Sequence, residues 1–174
     1  MGVISAQSSD DENAITQLAA RVGKCLRQKD LLLVSAESCT GGWLGQAVTA
    51  IAGSSAWYER GFITYSNDAK NELLNVSLAI LEKYGAVSEE AARSMALGAQ
   101  KNSHAHVSVA ITGIAGPAGG SKTKPVGTVC FAWMLKDGAL TSETCHFSGD
   151  RESVRRQSVI KALNGILSLL SRHP

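Results

Sequence analysis

The feature that most restricts the fold is a pair of apolar-rich runs, a continuous one at residues 31–36 and a poorly alternating one, rich in Val and Ile, at residues 106–111, each running into a glycine-rich turn. A strand that is apolar on successive residues is covered on both faces, the condition of a parallel sheet held between helix layers. The first run ends in Glu37-Ser38-Cys39-Thr40-Gly41-Gly42 and precedes a helical stretch over residues 42–50. A small hydroxyl thus stands where a strand hands over to a helix. The backbone N–H groups of Thr40, Gly41 and Gly42 in such a turn suit an anion or an oxyanion. The plain alternative is a capping turn, with Thr40 as N-cap and the glycines easing the bend.

The rest of the chain fits that frame. Residues 1–12 read as a flexible lead, with Asp10 or Asp11 capping a first helix; the domain itself occupies residues 13–172. In that helix Ile15, Leu18, Ala19, Val22 and Leu26 mark one apolar face. Gly53-Ser54-Ser55 ends the second helix, and residues 57–65 form a strand that buries Phe62 and Ile63. Asn67-Asp68 caps a short helix with Lys70 in its first turn, where the helix dipole disfavours a cation by about 0.3–1 kcal/mol at an exposed site. A short helix over residues 77–83 and a longer one from Ser88 to about Lys101 precede the second apolar run.

That run opens into Thr112-Gly113-Ile114-Ala115-Gly116-Pro117-Ala118-Gly119-Gly120. Two adjacent strands follow, over residues 127–135 and 141–147, joined through the hairpin signal Asp137-Gly138. A last helix from Arg151 to about Leu170 places Val159, Leu163, Ile166 and Leu170 on one face. Strands alternating with helices imply a single-domain, three-layer α/β/α sandwich around a mostly parallel mixed sheet with one antiparallel strand. Both special loops then lie at strand carboxyl ends, where ligands of such sheets collect.

Composition excludes several classes. With 17 Lys plus Arg against 15 Asp plus Glu there is no basic surface of the kind nucleic acid requires; only Arg151, Arg155 and Arg156 gather positive charge, beside Asp150 and Glu152. The cysteines Cys25, Cys39, Cys130 and Cys145 form no C-x-x-C pair and no metal-ligand spacing, so free thiols in a reducing cytoplasm are expected. No apolar run approaches the roughly 18 residues of a membrane span, and the polar start does not read as a secretion signal. A cytoplasmic protein without a membrane partner is expected.

Residues 116–123 approach a phosphate-loop pattern. Ser121 stands where its second glycine belongs, however, and Pro125 leads into a strand rather than a helix, so nucleoside-triphosphate hydrolysis is not supported. The loop's backbone N–H groups still suit an anion, against the alternative of a plain glycine turn. Cys39 is a rival to Ser38 as nucleophile, but a thiolate wants a histidine partner. His104, His106, His146 and His173 have no carboxylate at a suggestive spacing. A serine without histidine needs another base, and a lysine of lowered pKa serves.

The ordered blocks Glu37-Ser38-Cys39-Thr40-Gly41-Gly42, Gly53-Ser54-Ser55, Tyr65-Ser66-Asn67, Lys70, Gly85-Ala86-Val87-Ser88, Thr112-Gly113-Ile114-Ala115-Gly116-Pro117, Lys124-Pro125-Val126-Gly127-Thr128-Val129 and Gly149-Asp150-Arg151 resemble the nicotinamide-nucleotide amidohydrolase family, the stand-alone form of the CinA carboxyl-terminal domain. The resemblance implies hydrolysis of the carboxamide of nicotinamide mononucleotide to nicotinic acid mononucleotide and ammonia, within pyridine-nucleotide recycling and without metal or cofactor. By motif match it implies Ser38 as nucleophile, Lys70 as general base and Tyr65 as a residue that positions them. Ser55 would lie at the site, and Thr112 and Arg151 would meet the nucleotide, beside Gly113 and Gly116 of the same loop. A homodimer or larger homo-oligomer is expected. Two further readings of the same fold remain open at this point: a catalytically silent nucleotide-binding paralogue and an interaction module.

Overall fold

The computed structural model describes residues 6–173, with side chains from residue 13 onward. In chain order the elements are α1 (Ala6–Gln28), β1 (Leu33–Glu37), α2 (Trp43–Thr49), a 3-10 turn (Ser54–Ala56), β2 (Tyr58–Ile63), α3 (Asn67–Leu74), α4 (Leu78–Tyr84), α5 (Glu89–Lys101), β3 (Val107–Gly113), β4 (Thr128–Leu135), β5 (Leu140–His146) and α6 (Arg151–Arg172). The sheet runs in the order β2-β1-β3-β4-β5. β1 pairs in parallel with both β2 and β3, while β4 is antiparallel to β3 and to β5. Four strands therefore point one way and β4 alone points back, as the sequence implies.

Helices cover both faces. Along β3 and β4 the residues Val107, Val109, Ile111, Val129, Phe131 and Trp133 turn to the layer of α1, α2 and α6. Their alternates Ala110, Cys130 and Ala132 turn to the layer of α3, α4 and α5. The second face is lined by small side chains, and the α5 stripe Ala91, Ala92, Met95, Ala96 and Ala99 lies flat against it. Successive strand residues feed opposite cores, which is why the apolar runs do not alternate.

Three local expectations are corrected. Helix α1 begins at Ala6, so Asp10 and Asp11 lie within it rather than capping it, and of the expected lead residues 1–5 fall outside the described residues. The N-cap of α3 is Ser66, whose hydroxyl accepts from the Ala69 N–H at 3.0 Å, in place of Asn67 or Asp68. Ile63 is 56% exposed because β2 is an edge strand. The hairpin at Asp137-Gly138 forms as read, closed by Leu135 N–H to Ala139 O at 2.8 Å.

Strand order fixes the place of the site. From β1 the chain passes to β2 on one side, then crosses back to β3 on the other, so the loops leaving β1 and β3 diverge. Such a switch point opens a crevice beyond the strand carboxyl ends. The Ser38 N–H donates to Ile111 O at 2.9 Å, which pins the first loop beside the second strand.

Candidate active site

A cleft of about 260 Å³ occupies that switch point. Its floor carries Ser38 and Lys70, 8% and 1% exposed. Lys70 projects from the first turns of α3 under the loop after β2, and its Nζ lies 3.0 Å from Ser38 Oγ, 2.8 Å from Thr64 O and 3.4 Å from Tyr65 O. A neutral amine has two N–H donors and one lone pair. With the two carbonyls taking the donors, the lone pair is left for the Ser38 hydroxyl. Burial pushes the Lys70 pKa down from the ordinary lysine value, with a smaller opposing influence from Cys39. An uncharged Lys70 beside Ser38 is a base within reach of its proton.

Cys39 is not placed to compete. Burial pushes its thiol up to about 12, so it stays protonated near neutral pH. No histidine among the described residues lines the cleft. His106 accepts the Leu32 N–H at 3.0 Å near the opposite end of the sheet, and His146 meets the Thr128 hydroxyl at 3.2 Å.

The walls come from the loop after β3 and the start of α6. The Thr112 hydroxyl donates to Ala86 O at 2.8 Å and ties the loop before α5 to the cleft. The Arg151 guanidinium spans the mouth, donating to Gly116 O at 2.8 Å and to the Tyr65 hydroxyl at 2.9 Å. Two of its five N–H donors are thereby used, and the others remain for an incoming anion. Gly116 sits at φ +82, where an added Cβ would stand 2.5 Å from Val126 Cγ1, so the loop closes only with glycine there.

The turn after Ser38 is built differently from either sequence reading. Thr40 does not cap α2: the Glu37 carboxylate, 1% exposed, reaches forward and accepts from Gly42 N–H at 3.1 Å, Leu44 N–H at 3.0 Å and Gly45 N–H at 2.8 Å. Gly41 N–H donates to Ser38 O at 3.0 Å. The N–H groups of Gly41 and Gly42 are therefore engaged and not free for a ligand. Thr40 is fully buried, and its hydroxyl has no partner among the described residues. The N–H groups of Cys39 and Thr40, in contrast, donate to no other residue among those described.

Residues 15–170 match the CinA C-terminal domain. The chain belongs to that family. Among its relatives are curated proteins named nicotinamide-nucleotide amidohydrolase PncC. The protein from Enterobacter agglomerans is 51% identical over 90% of this chain and 95% of its own, and that from Pseudomonas putida is 51% identical over 89% and 96%. The crystal structure of the competence/damage inducible protein CihA from Agrobacterium tumefaciens superposes with a TM-score of 0.88 at 40% identity, covering 97% of this chain and 99% of that one.

Of the residues that the CinA resemblance brought forward, Ser38, Lys70, Tyr65, Thr112, Gly113, Gly116 and Arg151 meet in the cleft. Ser55 does not. It is exposed in the turn before β2, and because Leu33 pairs with Tyr58 and Glu37 with Ile63, it lies a strand's length from Ser38. Sequence reasoning passed over Glu37 and Arg155, both of which hold the turn that carries Ser38. The signals were present: Glu37 adjoins Ser38, and Arg155 stands one helical turn from Arg151.

Proposed function

We propose that the chain hydrolyses the carboxamide of nicotinamide mononucleotide, giving nicotinic acid mononucleotide and ammonia, with Ser38 and Lys70 as the reacting pair. The observation that carries the reading is the buried amine of Lys70, 3.0 Å from Ser38 Oγ and hydrogen-bonded otherwise to neutral carbonyls, in a chain about half identical to curated relatives that bear the amidohydrolase name. Lys70 takes the Ser38 proton as Oγ attacks the carboxamide carbon. The oxyanion that forms is met by backbone donors beside Ser38, each worth about 2.7–4 kcal/mol when well placed. Lys70 returns its proton to the departing nitrogen, ammonia leaves, and an acyl ester remains on Ser38. Water then attacks the ester and gives its proton to Lys70; collapse frees the acid and restores the Ser38 hydroxyl. Tyr65 contributes its carbonyl to Lys70 and its hydroxyl to Arg151, which together hold the amine and the cleft mouth.

The test is ammonia release from the mononucleotide by purified protein, followed with a coupled assay. Turnover that disappears in Ser38→Ala supports the reading. Binding without ammonia release would mark a silent nucleotide-binding paralogue, and neither binding nor release would mark an interaction module.

A further inference from the structure

We infer that Arg155 is a positioning residue for this reaction: its guanidinium fixes the peptide joining Cys39 to Thr40 so that the Thr40 N–H is held ready for the oxyanion. The inference rests on the amide hydrolysis proposed above. It starts from the support of each peptide in the turn. The Ser38 carbonyl is held by Gly41 N–H at 3.0 Å, and the Thr40 carbonyl by Trp43 N–H at 3.1 Å. No backbone donor reaches the Cys39 carbonyl among the described residues. Its support is Arg155 Nε at 3.1 Å, while the same guanidinium donates from Nη2 to Thr40 O at 2.9 Å.

A trans peptide is planar, with C=O and N–H on opposite sides. Fixing the Cys39 oxygen toward Arg155 therefore fixes the Thr40 N–H away from it. That N–H has no acceptor among the described residues, and Thr40 is fully buried. A buried N–H without a partner is rare and costly, and one beside a nucleophile is suited to a charge that appears only during reaction. The Arg155 guanidinium is itself held over the Trp43 ring, 5.2 Å from its centroid. Arg155 also stands four residues after Arg151 on α6, so one helix face supports both the cleft mouth and the nucleophile turn.

The test uses Arg155→Met, which keeps an apolar stem over Trp43 and removes the fork, and Arg155→Lys, which keeps the charge but not the paired donors. Steady-state ammonia release should show kcat lower by about 10- to 100-fold in Arg155→Met, with KM within about twofold of the unsubstituted protein. The rate at which a fluorophosphonate modifies Ser38, read by intact mass, should fall by a similar factor. Arg155→Lys should recover no more than part of either rate, and in a third variant, Arg155→Ala, added ethylguanidinium should restore part of both. Unchanged kcat and labelling in Arg155→Met overturn the inference, as does a raised KM at unchanged kcat, which would make Arg155 a substrate contact.

The two labelling and turnover readouts separate this idea from the proposed function. Arg155-dependent labelling of Ser38 without ammonia release from the mononucleotide would keep the inference and remove the substrate. Ammonia release with no Arg155 dependence would do the reverse. A Ser38 that is never labelled overturns the inference.

Discussion

Replacing Lys70 by Met separates the chemistry of the amine from its packing. Met fills a similar space but offers no lone pair to Ser38, so ammonia release should fall by about 10²- to 10⁴-fold, the usual contribution of a general base. Stability should respond in a pH-dependent way. In the folded chain burial lowers the Lys70 pKa, whereas the unfolded side chain titrates near about 10.4. Above that value both states are neutral, and the unsubstituted protein keeps the bonds to Thr64 O and Tyr65 O that Met lacks. Leaving one buried carbonyl without its donor costs about 1–3 kcal/mol, so the unsubstituted protein is the more stable by that amount in strong base.

As pH falls below the unfolded value, the unfolded chain binds a proton that the folded chain does not. The advantage of Lys70 over Met then shrinks by up to about 1.4 kcal/mol per pH unit, and it levels off only below the folded pKa. The proposed reaction needs the neutral amine, so kcat/KM should rise with pH through that same folded pKa. Paired urea melts of the two proteins across pH, together with a pH-rate profile, give two independent readings of one ionisation. A stability difference that does not change with pH, or a rate profile with its midpoint at or above the ordinary lysine value, would refute the argument.

Other substitutions test the remaining parts. Ser38→Ala should abolish turnover and leave binding intact, while Cys39→Ala should keep most activity and the native protein should resist thiol alkylation; inactivation through Cys39 alone would reverse the assignment. Arg151→Ala should weaken turnover of the mononucleotide by about ten- to a hundredfold, the worth of one charge-assisted contact, and spare nicotinamide riboside. Equal losses for both substrates would assign Arg151 to its links with Gly116 and Tyr65 instead. Light scattering should return a multiple of the 18.3 kDa chain mass, and a monomer at micromolar concentration would count against the expected oligomer.

How far the sequence reaches is visible at individual residues. The runs at 31–36 and 106–111 showed strands covered on both faces, and that is sufficient to place both glycine loops at one crevice. An apolar run does not reveal whether its strand is central or at an edge, which is why Ile63 was expected inside and is found outside. Lys70 was assigned to a first turn where cations are disfavoured, but propensity carries no information about a partner 32 residues away. The Ser55 block matched by motif, yet parallel pairing of β1 with β2 carries it to the far end of the sheet. The cap of α2 was the least legible. Capping rules look at the residue next to the helix, while Glu37 reaches over a turn that Gly41 and Gly42 close at φ +59 and +94.

That cap yields the last prediction, Glu37→Gln. The two residues are nearly the same size, so packing is retained and only the acceptor set changes. Glu37 Oε2 takes the N–H groups of Gly42 and Leu44, and Oε1 takes that of Gly45. A glutamine oxygen can serve the first two, but its NH2 group then faces the Gly45 N–H, donor against donor. One charge-assisted bond is lost, at about 1.5–3 kcal/mol. For a chain of this length that lowers Tm by roughly 3–12 °C. Because the same carboxylate anchors the turn that carries Ser38, kcat should fall as well, with the pH-rate midpoint set by Lys70 unmoved. Loss of activity with an unchanged Tm would instead make Glu37 a participant in proton transfer, and an unchanged Tm with full activity would show that α2 does not depend on this carboxylate for its first turn.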